Sequence, residues 1–112
     1  MPKQVATKAE FDAILADNSD KLVVVDFTAT WCGPCQMIAP AYKKMSEEYT
    51  DCVFIKVDVD ENEETAEACG IQAMPTFKFF KNKESVVDES GKAFEIRGAN
   101  ESKLREAVEK YK

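Results

Sequence analysis

In Leu22-Val23-Val24-Val25-Asp26-Phe27-Thr28-Ala29-Thr30-Trp31-Cys32-Gly33-Pro34-Cys35 an apolar, β-branched run leads into two cysteines separated by two residues. Residues 22–27 are too continuously apolar for a half-exposed strand, which predicts a central strand covered on both faces. Asp26 interrupts the run, either as a solvated edge residue or as a carboxylate buried among apolar neighbours with a raised pKa. After the cysteines, Ile38, Ala41, Met45 and Tyr49 mark one face of a helix. Pro34 suits its first turn, and Pro40 is expected to kink it. The cysteine pair therefore sits where a strand ends and a helix begins, the place where reactive groups gather in sheets of this kind.

Working outward, Thr7-Lys8-Ala9-Glu10 has the capping-box spacing, and Phe11, Ile14 and Leu15 share a face, predicting a helix over 8–17 with a minor strand near 4–6 before it. Residues 53–58 alternate as a second strand. Asp60-Glu61-Asn62-Glu63 opens an acidic helical turn that Gly70 stops, and the acidic run from Asp58 to Glu64 reads as solvated helix surface. Residues 76–81 form an aromatic-rich strand and 93–97 a shorter one. Between them Asn82 to Lys92 reads as one long polar hairpin connection, with Val86 and Val87 able to extend either strand. Asn100 caps a last helix whose stripe is Leu104, Ala107, Val108 and Tyr111. This order implies an α/β fold: a mixed sheet of four to five strands with helices on both faces, in one domain spanning 1–112.

The length of 112 residues suits one domain core, without repeat or linker. Fifteen Lys and Arg against 21 Asp and Glu give a net charge of −6, and no basic run reaches five residues, which opposes nucleic-acid binding. There is no histidine, so mechanisms needing an imidazole base and His-ligated metal sites are excluded. No stretch resembles a signal peptide, a transit peptide or a membrane span, and the expected compartment is the cytoplasm, with the nucleus open to it. In a reducing compartment, four cysteines point to catalysis or metal binding rather than to structural bridges.

Cysteines at i and i+3 on a helix lie within about 5–6 Å and close a disulfide with little adjustment. So small a loop removes little entropy from the unfolded chain, which makes the bond a poor staple and favours a redox role. At the amino end of a helix Cys32 meets free N–H groups and the positive end of the dipole, so its thiolate is favoured and it is the nucleophile. Cys35, a turn further in, acts once a mixed disulfide has formed. The rival reading, half of a zinc or iron–sulfur site, lacks a second close pair, since Cys52 and Cys69 stand apart and read as small buried hydrophobes. Trp31 is either core or a flank of the reacting sulfur, and a buried Asp26 would relay protons near neutral pH.

The chain resembles the thioredoxin family over nearly its whole length. The resemblance is carried by Asp26, Ala29-Thr30-Trp31-Cys32-Gly33-Pro34-Cys35, Asp58-Val59-Asp60, Met74-Pro75-Thr76-Phe77 and Gly98-Ala99. It implies a protein-disulfide reductase that holds no bound cofactor or metal and uses the Cys32–Cys35 disulfide as its redox centre. It implies a cis bond before Pro75, substrate contacts from Trp31, Met74, Pro75, Thr76, Gly98 and Ala99, and modulation of the thiols by Gly33, Pro34 and a Lys56 near Asp26. Electrons would come from NADPH through a flavoprotein, thioredoxin reductase. Implied clients are peroxiredoxins, methionine sulfoxide reductases and ribonucleotide reductase. Ala73 stands where some animal members carry a cysteine for a dimer bridge, so a monomer is expected. An oxidase or isomerase, whose relatives place a His between the cysteines, and a non-catalytic subunit gripping partners with the same rim are the competing functions.

Overall fold

A computed structural model describes residues 2–112. Six strands, β1 (Lys3–Gln4), β2 (Val23–Thr28), β3 (Val53–Asp58), β4 (Thr76–Lys81), β5 (Glu84–Ser85) and β6 (Glu95–Arg97), alternate with helices α1 (Lys8–Asp17), α2 (Gly33–Glu48), α3 (Glu63–Ala68) and α4 (Glu101–Tyr111). The sheet runs β1-β3-β2-β4-β5, and β6 also pairs with β4. β1, β3 and β2 are parallel, whereas β4 is antiparallel to β2, so the sheet is mixed as expected.

β2 is central because both its faces are apolar. Leu22 and Val24 face Tyr42 and Met45 of α2 and Leu104 and Val108 of α4, while Val23, Val25 and Phe27 face Phe11 and Leu15 of α1. Each such side chain, fully buried, contributes about 1.5–3 kcal/mol. The helices begin where the sequence marks them. Thr7 Oγ1 accepts the Glu10 N–H at 3.1 Å, and Glu10 reaches back to the Ala6 N–H at 3.0 Å. Asn62 and Asn100 cap α3 and α4 in the same way, each cap worth about 1 kcal/mol. No helix among the described residues is long and apolar enough to cross a membrane.

Two expectations change. The segment 82–92 is not one hairpin connection. Asn82 (φ 55°) and Lys83 (φ 70°) turn β4 directly into β5, and only then does the chain make a separate excursion, with Val87 bridged to Ala93 and the Phe94 N–H donated to the Val86 carbonyl at 2.8 Å. β5 and β6 thus share one edge of β4 end to end, which raises the sheet from the expected four to five strands to six. The second change is the buried face of α2, which continues through Pro40 as expected: its stripe is Ile38, Tyr42 and Met45, with Ala41 and Tyr49 only partly covered.

Candidate active site

The site forms where β2 passes into α2. The Cys32 N–H donates to the Ala29 carbonyl at 3.2 Å, turning the chain so that Cys32 becomes the N-cap of α2. Its Sγ accepts the Cys35 N–H at 3.2 Å, the two Cα atoms are 5.3 Å apart, and the sulfurs are bonded to each other. Pro34 lies in the first turn, where no N–H is needed. Gly33 and Pro34 are exposed, while both cysteines are buried in a cluster with Ala29, against which Val59 and Met74 pack. A Cβ on Gly33 would meet nothing within 4 Å, so packing does not demand glycine there.

A second wall comes from the segment entering β4. The Met74–Pro75 bond is cis, and the Met74 carbonyl oxygen lies 3.7 Å from Cys32 Sγ. Thr76 anchors the turn by donating its hydroxyl to the Ala73 carbonyl at 2.6 Å. Gly98, at φ +102°, donates its N–H to the Pro75 carbonyl at 2.9 Å, which sets the Gly98-Ala99 turn against Pro75. That backbone conformation suits glycine, since a Cβ is strained there.

Trp31 is 66% exposed, so it is not core; its indole N–H donates to the Asp60 carboxylate at 2.8 Å. Asp60 is itself placed by Asp58, at the end of β3, whose Oδ1 accepts the N–H groups of Asp60 at 2.9 Å and Glu61 at 3.3 Å. Asp58 is buried, a correction to its reading as solvated helix surface. An acidic run conceals a turn-forming carboxylate because Asp serves both purposes.

Asp26 is fully buried and neither carboxylate oxygen has a hydrogen-bond partner, which removes the solvated-edge alternative. Its neighbours in register are Lys56 on β3 and Phe77 on β4. Burial, offset in part by the positive charge of Lys56, leaves its pKa raised to about 7. Alternation along β2 puts Asp26 on the face of Val24, beneath α2. There the Tyr42 phenol, which the sequence reading passes over, shares its one hydroxyl proton between the carbonyls of Val24 at 2.9 Å and Ile55 at 2.8 Å, tying α2 to two strands. Its signal was available as the i+4 neighbour of Ile38, masked by the equally apolar Ala41. A surface cavity of about 470 Å³, lined by Gln36, Pro40, Tyr42 and Lys56 among others, opens beside this face.

The remaining thiols are unbonded. Cys52 is buried in the core under α2, where burial first and Asp51 second push its pKa up to about 11. Cys69 follows α3, partly covered, with its pKa also raised by burial. Among the described residues, no group of three or more His, Cys, Asp or Glu side chains is placed to hold a metal ion.

A family model for thioredoxin matches residues 2–110. The thioredoxin of Geodia cydonium is 60% identical over 108 residues, covering 95% of this chain and 94% of that one. The X-ray structure of Fasciola hepatica thioredoxin superposes with a TM-score of 0.91 at 42% identity, over 98% of this chain and 99% of the other. A further chain, 32% identical with a TM-score of 0.84 over 97% of this chain and 94% of its own, comes from work on the thiol-resolving mechanism in yeast mitochondrial 1-Cys peroxiredoxin via glutathione/thioredoxin systems. With these matches spanning its length and the bonded Cys32–Cys35 pair at the head of α2, the chain belongs to the thioredoxin family and is a dithiol–disulfide oxidoreductase.

Proposed function

We propose that one domain, residues 1–112, works as a general protein-disulfide reductase in which Cys32 attacks, Cys35 resolves and Asp26 accepts the proton of Cys35. The observation that carries this assignment is the place of the two sulfurs on α2. Cys32 is the N-cap, where backbone N–H groups and the helix dipole favour a thiolate, and Cys35 lies within the first turn and is the more deeply buried of the two.

In the first exchange the Cys32 thiolate attacks one sulfur of a substrate disulfide; the Cys32–substrate bond forms as the substrate S–S bond breaks, and one substrate thiolate leaves. In the second, Cys35 loses its proton to the Asp26 carboxylate, directly or through water, and attacks Cys32 Sγ. The mixed disulfide breaks, the second substrate thiolate departs and takes up a proton, and two electrons have passed to the substrate. A carboxylate with a pKa about 7 is suited to that transfer near neutrality.

Met74 offers its backbone to an extended substrate segment, and Trp31, Pro75, Gly98 and Ala99 complete the contact surface; Thr76, expected among them, is buried and supports the turn from beneath through its bond to the Ala73 carbonyl. Gly33 and Pro34 add no charge or imidazole to stabilise the Cys32 thiolate, which favours donating electrons over an oxidase role, while Lys56 modulates Asp26. Thioredoxin reductase, drawing on NADPH through its flavin, returns the pair to the dithiol. Peroxiredoxins, methionine sulfoxide reductases and ribonucleotide reductase are the client classes, and the protein acts as a cytoplasmic monomer. The test is reduction of a protein disulfide by wild type, Cys32→Ser and Cys35→Ser. Turnover is expected to be lost in both, with covalent capture of substrate mainly by Cys35→Ser; an active Cys32→Ser overturns the assignment.

A further inference from the structure

We infer that Asp58 is a positioning residue for substrate binding, acting through Asp60 to hold Trp31 in place. This rests on the reading that Trp31 is part of the substrate surface. An exposed indole gains little from packing, and Trp31 is 66% exposed. What fixes it is one hydrogen bond, from its ring N–H to the Asp60 carboxylate at 2.8 Å. Asp60 is exposed too, so its own place depends on its backbone. That backbone is held from below: the Asp58 carboxylate, 6% exposed, accepts the Asp60 and Glu61 N–H groups, and the Val59 N–H is pinned to the Thr28 carbonyl at 2.9 Å. Val59 in turn packs on the cluster of Ala29, Cys32 and Cys35. The end of β3 thus supports the indole from a strand that contributes neither cysteine, and Asp58 reaches the substrate only through two other residues.

Trp31 is the sole tryptophan, so its fluorescence anisotropy reports its motion directly. In Asp58→Ala the local motion of the reduced protein's indole is expected to increase. KM for a protein disulfide should rise about three- to tenfold, the scale of one weakened hydrogen bond, with kcat and the rate toward a small aromatic disulfide changed less than about twofold. Asp58→Asn keeps an acceptor oxygen and should behave as wild type. In an Asp60→Ala background, Asp58→Ala should add nothing further, which also serves if the single Asp58→Ala chain folds poorly, because Asp58→Asn and Asp60→Ala still bracket the effect. An indole equally immobile in Asp60→Ala, or an Asp58→Asn that behaves like Asp58→Ala, overturns the inference. Absence of disulfide reduction by the wild type would instead refute the proposed function and leave the anisotropy result standing.

Discussion

The chain contains the same unit twice, a buried strand followed by a helix with one buried aspartate and cysteine at the helix, and the two copies do opposite things. In β2–α2 the aspartate is Asp26, without a hydrogen-bond partner, and the cysteines open the helix. In β3–α3 the aspartate is Asp58, accepting two N–H groups, and the single cysteine, Cys69, closes the helix. A carboxylate that finds donors holds a turn; one denied them keeps the proton that burial favours and becomes able to exchange it. A thiol at a helix N-terminus is electrostatically assisted toward thiolate, whereas Cys69 at the other end has its pKa raised by burial. Position within the unit, rather than residue type, separates chemistry from support.

The widest separation should appear in turnover. Cys32→Ser is expected to reduce protein-disulfide reduction by about a thousandfold or more, and Cys69→Ser by less than about twofold, measured in one assay. Comparable losses would erase the distinction between the helix ends.

Stability should separate the aspartates next. The folded pKa of Asp26, about 7, lies above the usual unfolded value near 3.9, so the folded state holds a proton that the unfolded state has lost between those limits. Stability is therefore full below about pH 4, falls as pH rises toward 7, and is level beyond it, the loss amounting to about 4 kcal/mol. Asp26→Asn should remove that loss, stabilising the protein by several kcal/mol at pH 8 and little at pH 4 in urea titrations. Asp58→Asn, which keeps its acceptor, should shift stability by less than about 1 kcal/mol at either pH. A pH-independent gain for Asp26→Asn would contradict the buried-proton account.

Thiol reactivity sharpens the same contrast. With its pKa pushed up to about 11, Cys52 should alkylate about a hundredfold more slowly at pH 8 than an unperturbed thiol, as timed by mass spectrometry, while reduced Cys32 reacts first. The smallest effect is expected at Gly33. Because a Cβ there meets open space, Gly33→Ala should change stability by less than about 1 kcal/mol, read from the urea midpoint.

Much of β2–α2 was legible because its features are local. A continuous apolar run, two cysteines at i and i+3 and a proline suited to a first turn each act within one element, and α1 fell on 8–17 because its cap is a local pattern. β3–α3 was half legible. Asp58 sits in an acidic run, and only the folded turn separates the one buried carboxylate from its solvated neighbours. The Trp31–Asp60 bond spans 29 residues and has no local signature. The segment 82–92 was misread for a different reason. A two-residue turn with positive φ at both positions is normally announced by glycine, and here Asn82 and Lys83 make it without one.

The most direct test of the difference between the two units is the rate of the second exchange. The mixed disulfide between Cys32 and a substrate thiol is formed, and its resolution by Cys35 is timed from about pH 6 to about pH 9 in wild type and Asp26→Asn. The account predicts that Asp26→Asn is slower by about tenfold or more near pH 7, with the gap closing as pH rises and hydroxide replaces the missing base. Equal rates across that range would show that Asp26 moves no proton, and that burial alone does not make a carboxylate part of the reaction.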